Sequence, residues 1–158
     1  MNFTTILALT FAIGFVNGLR SLSAPAVVAW AARWKWLDLH NSPLAFMGSA
    51  VAAYLFSAAA IIELIVDKLP KAPSRKEPLG LIARILFGGL SGAALCAAVN
   101  HALVLGAVLG VAGALAGMFI GYEIRTRLVR GLKVPDFVIA LLEDAIAIGG
   151  SFLIVSRF

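Results

Sequence analysis

Apolar residues run along this chain in five long stretches, and the polar residues between them gather in clusters instead of alternating with them. Residues 3–32 form the first stretch, interrupted once by Asn17, Arg20, Ser21, Ser23 and Pro25. Residues 44–66 are nearly clear of polar groups until Glu63, and residues 79–99 carry Arg84 near their start. Only Asn100 and His101 separate that stretch from residues 102–122, and the last, residues 137–155, holds Glu143 and Asp144 near its centre. About 20 apolar residues is the length an α-helix needs to cross a hydrocarbon core of roughly 30 Å. Within lipid every backbone donor and acceptor must be met inside the segment, which leaves helices for such runs. The pattern therefore predicts one all-α domain, a bundle of about five transmembrane helices.

Composition sharpens this. The chain of 158 residues is 61% hydrophobic and 13% charged, with a mean hydropathy of +0.99. Soluble domains run near 45–50% apolar and about 25% charged. A soluble enzyme, a disordered tail and a nucleic-acid module are excluded on that ground. The net charge of +5 is read instead as a topology signal, because the basic residues mostly sit between the apolar runs. Lys68, Lys71, Arg75 and Lys76 fall in one loop and Arg125, Arg127, Arg130 and Lys133 in another. With five spans those loops share a side, and short basic loops stay cytoplasmic. The expectation is an inner-membrane protein with its N-terminus cytoplasmic, its C-terminus external, and Trp30, Trp34 and Trp36 at the outer interface. The first run lacks a basic leader and contains Arg20, which argues against a cleaved signal. Cys96 has no second cysteine to pair with.

Arg20 is the most informative residue for function. An uncompensated arginine deep in a span costs about 2.5–3.5 kcal/mol on insertion scales, so a partner is expected, and Glu143 or Asp144 is at comparable depth. Adjacent helix positions point about 100° apart, so only one acid can face Arg20 while the other faces elsewhere. Ser21 and Ser23 precede Pro25, which cannot donate to the preceding turn. Either the helix kinks there or it breaks, with Ser23 capping a second half-helix whose positive end attracts an anion. Arg20, Ser21, Ser23, Glu143 and Asp144 are thus the candidate substrate- or ion-binding residues. Glu63 and Asp67 lie one turn apart with Lys68 beside them; with Arg75 and Arg84 they form a candidate headgroup or secondary site on the cytoplasmic side. No zinc, phosphate-cradling or nucleophile–base pattern is present, so no cofactor, metal or catalytic residue is expected. His101 is read as part of a tight outer turn. Gly106, Gly110, Gly113, Gly117 and Gly121 put small residues on nearby faces of one helix, where another helix can approach closely. That partner is internal or a second protomer, and a homo-oligomer surrounded by membrane lipids is expected.

Gly14-Phe15-Val16-Asn17-Gly18 also lines up with Gly88-Gly89-Leu90-Ser91-Gly92. With two spans between them, a duplication would set both copies in the same orientation, unlike an inverted-repeat transporter. Gly18-Leu19-Arg20-Ser21, the stretch from Glu63 to Pro70, Pro73-Ser74-Arg75, Val134-Pro135-Asp136-Phe137 and Leu142-Glu143-Asp144 together resemble an uncharacterised bacterial integral membrane protein family, domain of unknown function 4126. The resemblance implies a small multispan inner-membrane protein and brings no activity with it. Three readings of function follow from the residues. They are a small permease or channel with an anion-favouring site at mid-membrane, a structural or accessory membrane protein with a buried ion pair, and a lipid-headgroup-handling protein.

Overall fold

A computed structural model describes residues 1–68, 78–132 and 135–158. The expected residue Arg75 lies outside the described residues. Among the described residues six α-helices follow one another: α1 (Phe3–Leu19), α2 (Ser23–Arg33), α3 (Ala50–Val66), α4 (Pro78–Ala98), α5 (Leu103–Leu132) and α6 (Asp136–Val155). A short 3-10 turn, Ala45–Gly48, precedes α3. The protein is all-helical, and α4, α5 and α6 are long and apolar enough to cross a membrane. The apolar helices α1 and α3 are shorter, at 17 residues each. Large apolar side chains such as Val51, Tyr54, Leu55, Leu79, Val104 and Leu153 stand more than 60% exposed around the bundle, as expected of a surface that faces lipid.

The first apolar run is two helices, and they run in opposite directions. Gly14 abuts Gly110, and Phe15 abuts Gly117, so α1 runs parallel to α5. Asn17 reaches the Arg84 carbonyl and Thr10 reaches Cys96, so α1 is antiparallel to α4. Arg20 meets Asp144 while Val16 lies at Gly150, which makes α1 antiparallel to α6. The next helix reverses: Ser21 meets Glu63 and Trp30 meets Ser57, so α2 is antiparallel to α3. Its far end, at Trp36, lines a hollow with Val155 and Phe158, parallel to α6. The chain therefore turns back at Arg20, which is extended (φ −139°, ψ 116°). Phe3 packs edge-on against His101 at 5.2 Å, between α4 and α5. Both ends of the chain thus lie at the end of the bundle opposite the Lys68 and Arg125 segments. The first run was expected to be one span with the termini on opposite sides; here it is two antiparallel helices, which brings both ends of the chain to one end of the bundle.

The same reversal corrects the orientation expected of the glycine motifs. With α1 and α4 antiparallel, Gly14/Gly18 and Gly88/Gly92 point opposite ways along the bundle, and both pack on α5. A Cβ added at Gly110 would fall under 3.0 Å from the Gly88 backbone, and one at Gly117 equally close to the Phe15 backbone. These contacts are backbone against backbone, which only residues without side chains allow. Gly106, Gly110, Gly113 and Gly117 of α5 are therefore covered from within the chain, by α1 and α4, whereas Gly131 has nothing within 4 Å of an added Cβ. Helix α2 is central, with nine of its eleven residues buried. Asn100 ends α4 in the left-handed region (φ 55°), and the His101 N–H returns to the Cys96 carbonyl at 2.8 Å.

Candidate functional site

The reversal at Arg20 leaves two sets of backbone groups outside any helix, and charged side chains from other helices take them. At the end of α1, Arg84 donates from Nε to the Gly18 carbonyl at 3.0 Å and from Nη1 to the Gly80 carbonyl at 2.9 Å. At the start of α2, Glu63 accepts from the Ser21 and Leu22 N–H groups, both at 2.8 Å, and from the Ser21 hydroxyl at 2.5 Å. A carboxylate there satisfies orphan donors and sits at the positive end of the helix dipole. Leu22, not Ser23, is the N-cap residue, and Ser23 lies one position inside the helix. Its buried hydroxyl has no hydrogen-bond partner among the described residues. The expected capping by Ser23 is corrected: the cap is supplied in trans, by α3.

Arg20 is 1% exposed and holds two carboxylates at once. Its Nε donates to Asp144 Oδ1 at 2.6 Å, and its Nη2 lies 2.7 Å from Asp67 Oδ2. Lys68 Nζ takes the other oxygen of Asp144 at 2.5 Å and the Leu64 carbonyl at 2.9 Å. Arg125 is the second hub. It grips Asp136 with Nε and Nη2 at 2.8 and 2.5 Å, while Nη1 reaches Asp67 at 3.0 Å and Glu143 at 3.3 Å. Five segments are joined in this way: the turn after α1, the end of α3, α5, and two turns of α6. Of the two adjacent acids, Asp144 faces Arg20 and Glu143 faces Arg125, the divergence that a 100° step demands. Burial opposes the charged form of Asp67, but hydrogen bonding and attraction from Arg20, and then from Arg125, outweigh it. Its carboxyl is held well below the usual carboxylate range.

The network is not at the middle of the bundle. Leu103 to Arg125 is about 33 Å at 1.5 Å per residue, and Phe3 to Arg20 about 25 Å. Measured from the end that carries both termini, these lengths are comparable with a full hydrocarbon thickness. Along the bundle, the network therefore lies toward the end that carries Lys68 and Arg125. The structure brings Arg20, Asp144, Asp67, Lys68 and Glu143 into one network, with Glu63 and Ser21 beside it. Arg84, 5% exposed, donates to the Gly18 and Gly80 backbone carbonyls. Glu63 and Asp67, one turn apart, face different partners and do not converge on a common point. Among the described residues no group of three or more His, Cys, Asp and Glu side chains is placed to hold a metal.

Arg125 is the functional candidate that the sequence pattern missed. It follows an apolar run in a stretch read as a basic loop, whereas α5 continues to Leu132. The signal was present: Ala114, Met118, Gly121 and Arg125 fall on one helical face at steps of three and four, and the first three are buried.

Comparison with known proteins returns one finding. No curated protein and no solved structure matches the chain. Residues 7–156 match the family described as Domain of unknown function (DUF4126). That span covers nearly all of the sequence, including every residue of the network, and the chain belongs to this family.

Proposed function

We propose that the protein is a structural or accessory component of the cell inner membrane, and that its ion-pair network locks a re-entrant hairpin (α1 and α2) into the bundle. One observation carries this reading: Arg20 is 1% exposed with carboxylates on both working faces of its guanidinium. The positions where a permeating anion would be held are filled by the protein's own Asp67, Asp144 and Glu63. Non-helical backbone at membrane depth is tolerated where protein buries it, and here the side chains of α3, α4 and α6 enclose it. A conduit would instead need water at Arg20.

In this reading the basic end faces the cytoplasm, so both termini face outward. The exposed apolar belt contacts membrane lipid. A homo-oligomer would form on an exposed face such as that of α3, because the glycine seams are used internally.

Accessibility and flux together test the proposal. In a Cys96→Ala background, Ser21→Cys and Ser23→Cys should resist a water-soluble thiol reagent added from either side of sealed vesicles. Proteoliposomes should show no anion flux above protein-free controls. Rapid labelling at either position, with anion flux abolished by Arg20→Ala in a folded variant, would replace this reading with a permease. Reporter fusions at each end should both report the external side.

A further inference from the structure

Basic side chains meet different surroundings at the two ends of the bundle. At the end of the ion-pair network, Arg20, Lys68, Arg125 and Arg127 each hold a carboxylate. At the end that carries both termini, α2 stops at Arg33 and the chain crosses to α3 through residues 34–49. Leu37, Leu39 and Met47 anchor that crossing, each at 3% exposure or less, and Gly48 lies against the Ala32 backbone. A hollow of about 300 Å³ opens between the end of α2, the crossing and the start of α3. Arg33, Lys35, His40 and Ser49 line its polar side, and no carboxylate lines it. The side chains of Arg33, Lys35 and His40 form no ion pair or hydrogen bond among the described residues. The neighbouring Asp38 accepts the His40 backbone N–H at 3.1 Å and is not part of the lining. The Ser49 hydroxyl oxygen accepts from the Ala52 N–H at 3.1 Å, which leaves its O–H to donate. Lys35 is held at φ 62°, so a lysine stands just beyond the end of α2 where a glycine would be unstrained.

We propose that this hollow binds a phosphate group, held by Arg33 and Lys35 with His40 and Ser49 as further donors. Charge and donor chemistry select this occupant. Two fixed cations with no carboxylate between them leave a local positive potential that an anion complements. A guanidinium fork matches the geometry of phosphate, an ammonium supplies a point charge, and an imidazole N–H and a hydroxyl can donate to the remaining oxygens. The space of about 300 Å³ equals roughly ten waters at about 30 Å³ each, which is room for a phosphate with part of its ester or its hydration shell. Trp34 and Trp36 flank Lys35, and with Trp30 and Tyr54 they form a chain of ring contacts at 5.3 to 5.5 Å. Such rings settle at the headgroup level of a bilayer. Phosphate can therefore reach the hollow from a lipid headgroup at that level or from a soluble phosphate.

The test uses the full chain in two arms. In nanodiscs of phosphatidylcholine, whose choline ammonium offsets its phosphate, a minority of phosphatidylglycerol is added and retained lipid is counted by native mass spectrometry. In neutral detergent, the melting midpoint is followed as inorganic phosphate replaces chloride at constant ionic strength, because a ligand of the folded state raises it. The wild type should retain phosphatidylglycerol preferentially, which assigns a lipid source, or be stabilised by phosphate, which assigns a soluble one. Arg33→Gln and Lys35→Gln should each lower the retention preference or the apparent phosphate affinity about fivefold, the value of one basic residue near the surface. Arg157→Gln removes an exposed charge at the same end but outside the hollow, and should change neither. Lys35→Gly should act as Lys35→Gln does without lowering the midpoint in chloride, since glycine adopts φ 62° freely, so the loss is one of binding and not of folding. The proposal is overturned if the wild type responds in neither arm, or if Arg157→Gln acts as strongly as Arg33→Gln. It is equally overturned if neither Arg33→Gln nor Lys35→Gln weakens the response.

Discussion

Replacing Arg20 by methionine tests the central feature of the fold. The substitution keeps most of the side-chain length and removes the guanidinium that bonds Asp144 at 2.6 Å and Asp67 at 2.7 Å. Breaking a buried pair by removing one member costs about 3–5 kcal/mol, because the other charge is left without compensation. Here each abandoned carboxylate keeps one cation: Asp144 keeps Lys68 at 2.5 Å, and Asp67 keeps Arg125 at 3.0 Å. The loss should therefore fall at the lower end, about 3 kcal/mol. For a chain of this size each kcal/mol moves the midpoint by about 2–4 °C, so a drop of about 6–12 °C is expected. The assay is thermal unfolding of the purified protein in detergent, followed by helical circular dichroism, for Arg20→Met, Asp144→Asn and the double variant. Neutralising both members should recover part of the loss, with a coupling of about 1–3 kcal/mol. Arg127→Gln serves as control, since its pair with Glu123 is 78% and 56% exposed and such pairs contribute under about 1 kcal/mol. A drop below about 2 °C for Arg20→Met, or strictly additive losses, would refute the argument that this ion pair holds the hairpin.

Glu63→Ala removes the acceptor for two backbone N–H groups and one hydroxyl at the start of α2. It should cost about 1–2 kcal/mol in the same assay, the range of a lost helix cap, and an unchanged midpoint would argue that water replaces it at no cost. Gly110→Leu should prevent folding, because even a Cβ there meets the Gly88 backbone; Gly149→Ala should be neutral or stabilising by up to about 1 kcal/mol, having nothing within 4 Å of the added carbon. Equal yields of folded protein from these two variants would contradict the packing of α5. Asp67 supplies a pH dependence with a defined sign. Its folded-state pKa is depressed, so its contribution is complete above the unfolded value of about 3.9 and is lost as pH falls below it. The melting midpoint of the wild type should therefore decline on acidification below about pH 4, and Asp67→Asn should show a shallower decline; parallel acid limbs would remove Asp67 as the cause.

Sequence alone determined that this chain is an all-helical bundle of apolar helices. It also determined that Arg20 needs a carboxylate and that adjacent Glu143 and Asp144 must face different ways. Those conclusions rest on local quantities: the length of an apolar run, the cost of an uncompensated charge, and the angular step of a helix. Tertiary structure alone decided the direction of travel after Arg20. The run of residues 3–32 is continuous in hydropathy, and a long tilted helix and a hairpin of two helices bury similar apolar surface. What separates them is whether distant residues can satisfy the broken backbone, and those are Glu63, 42 residues beyond Ser21, and Arg84, 66 beyond Gly18. That single reversal moved the N-terminus to the same end as the C-terminus and opposed the two glycine motifs. The depth of the site was hidden for the same reason. A charge is assigned a depth by its place in its own run, whereas Asp67, Arg125 and Asp144 reach one level only because helices of different length are packed with their ends offset. The partners of Arg20 are long-range contacts, and long-range pairing is not encoded in the periodicity of either partner.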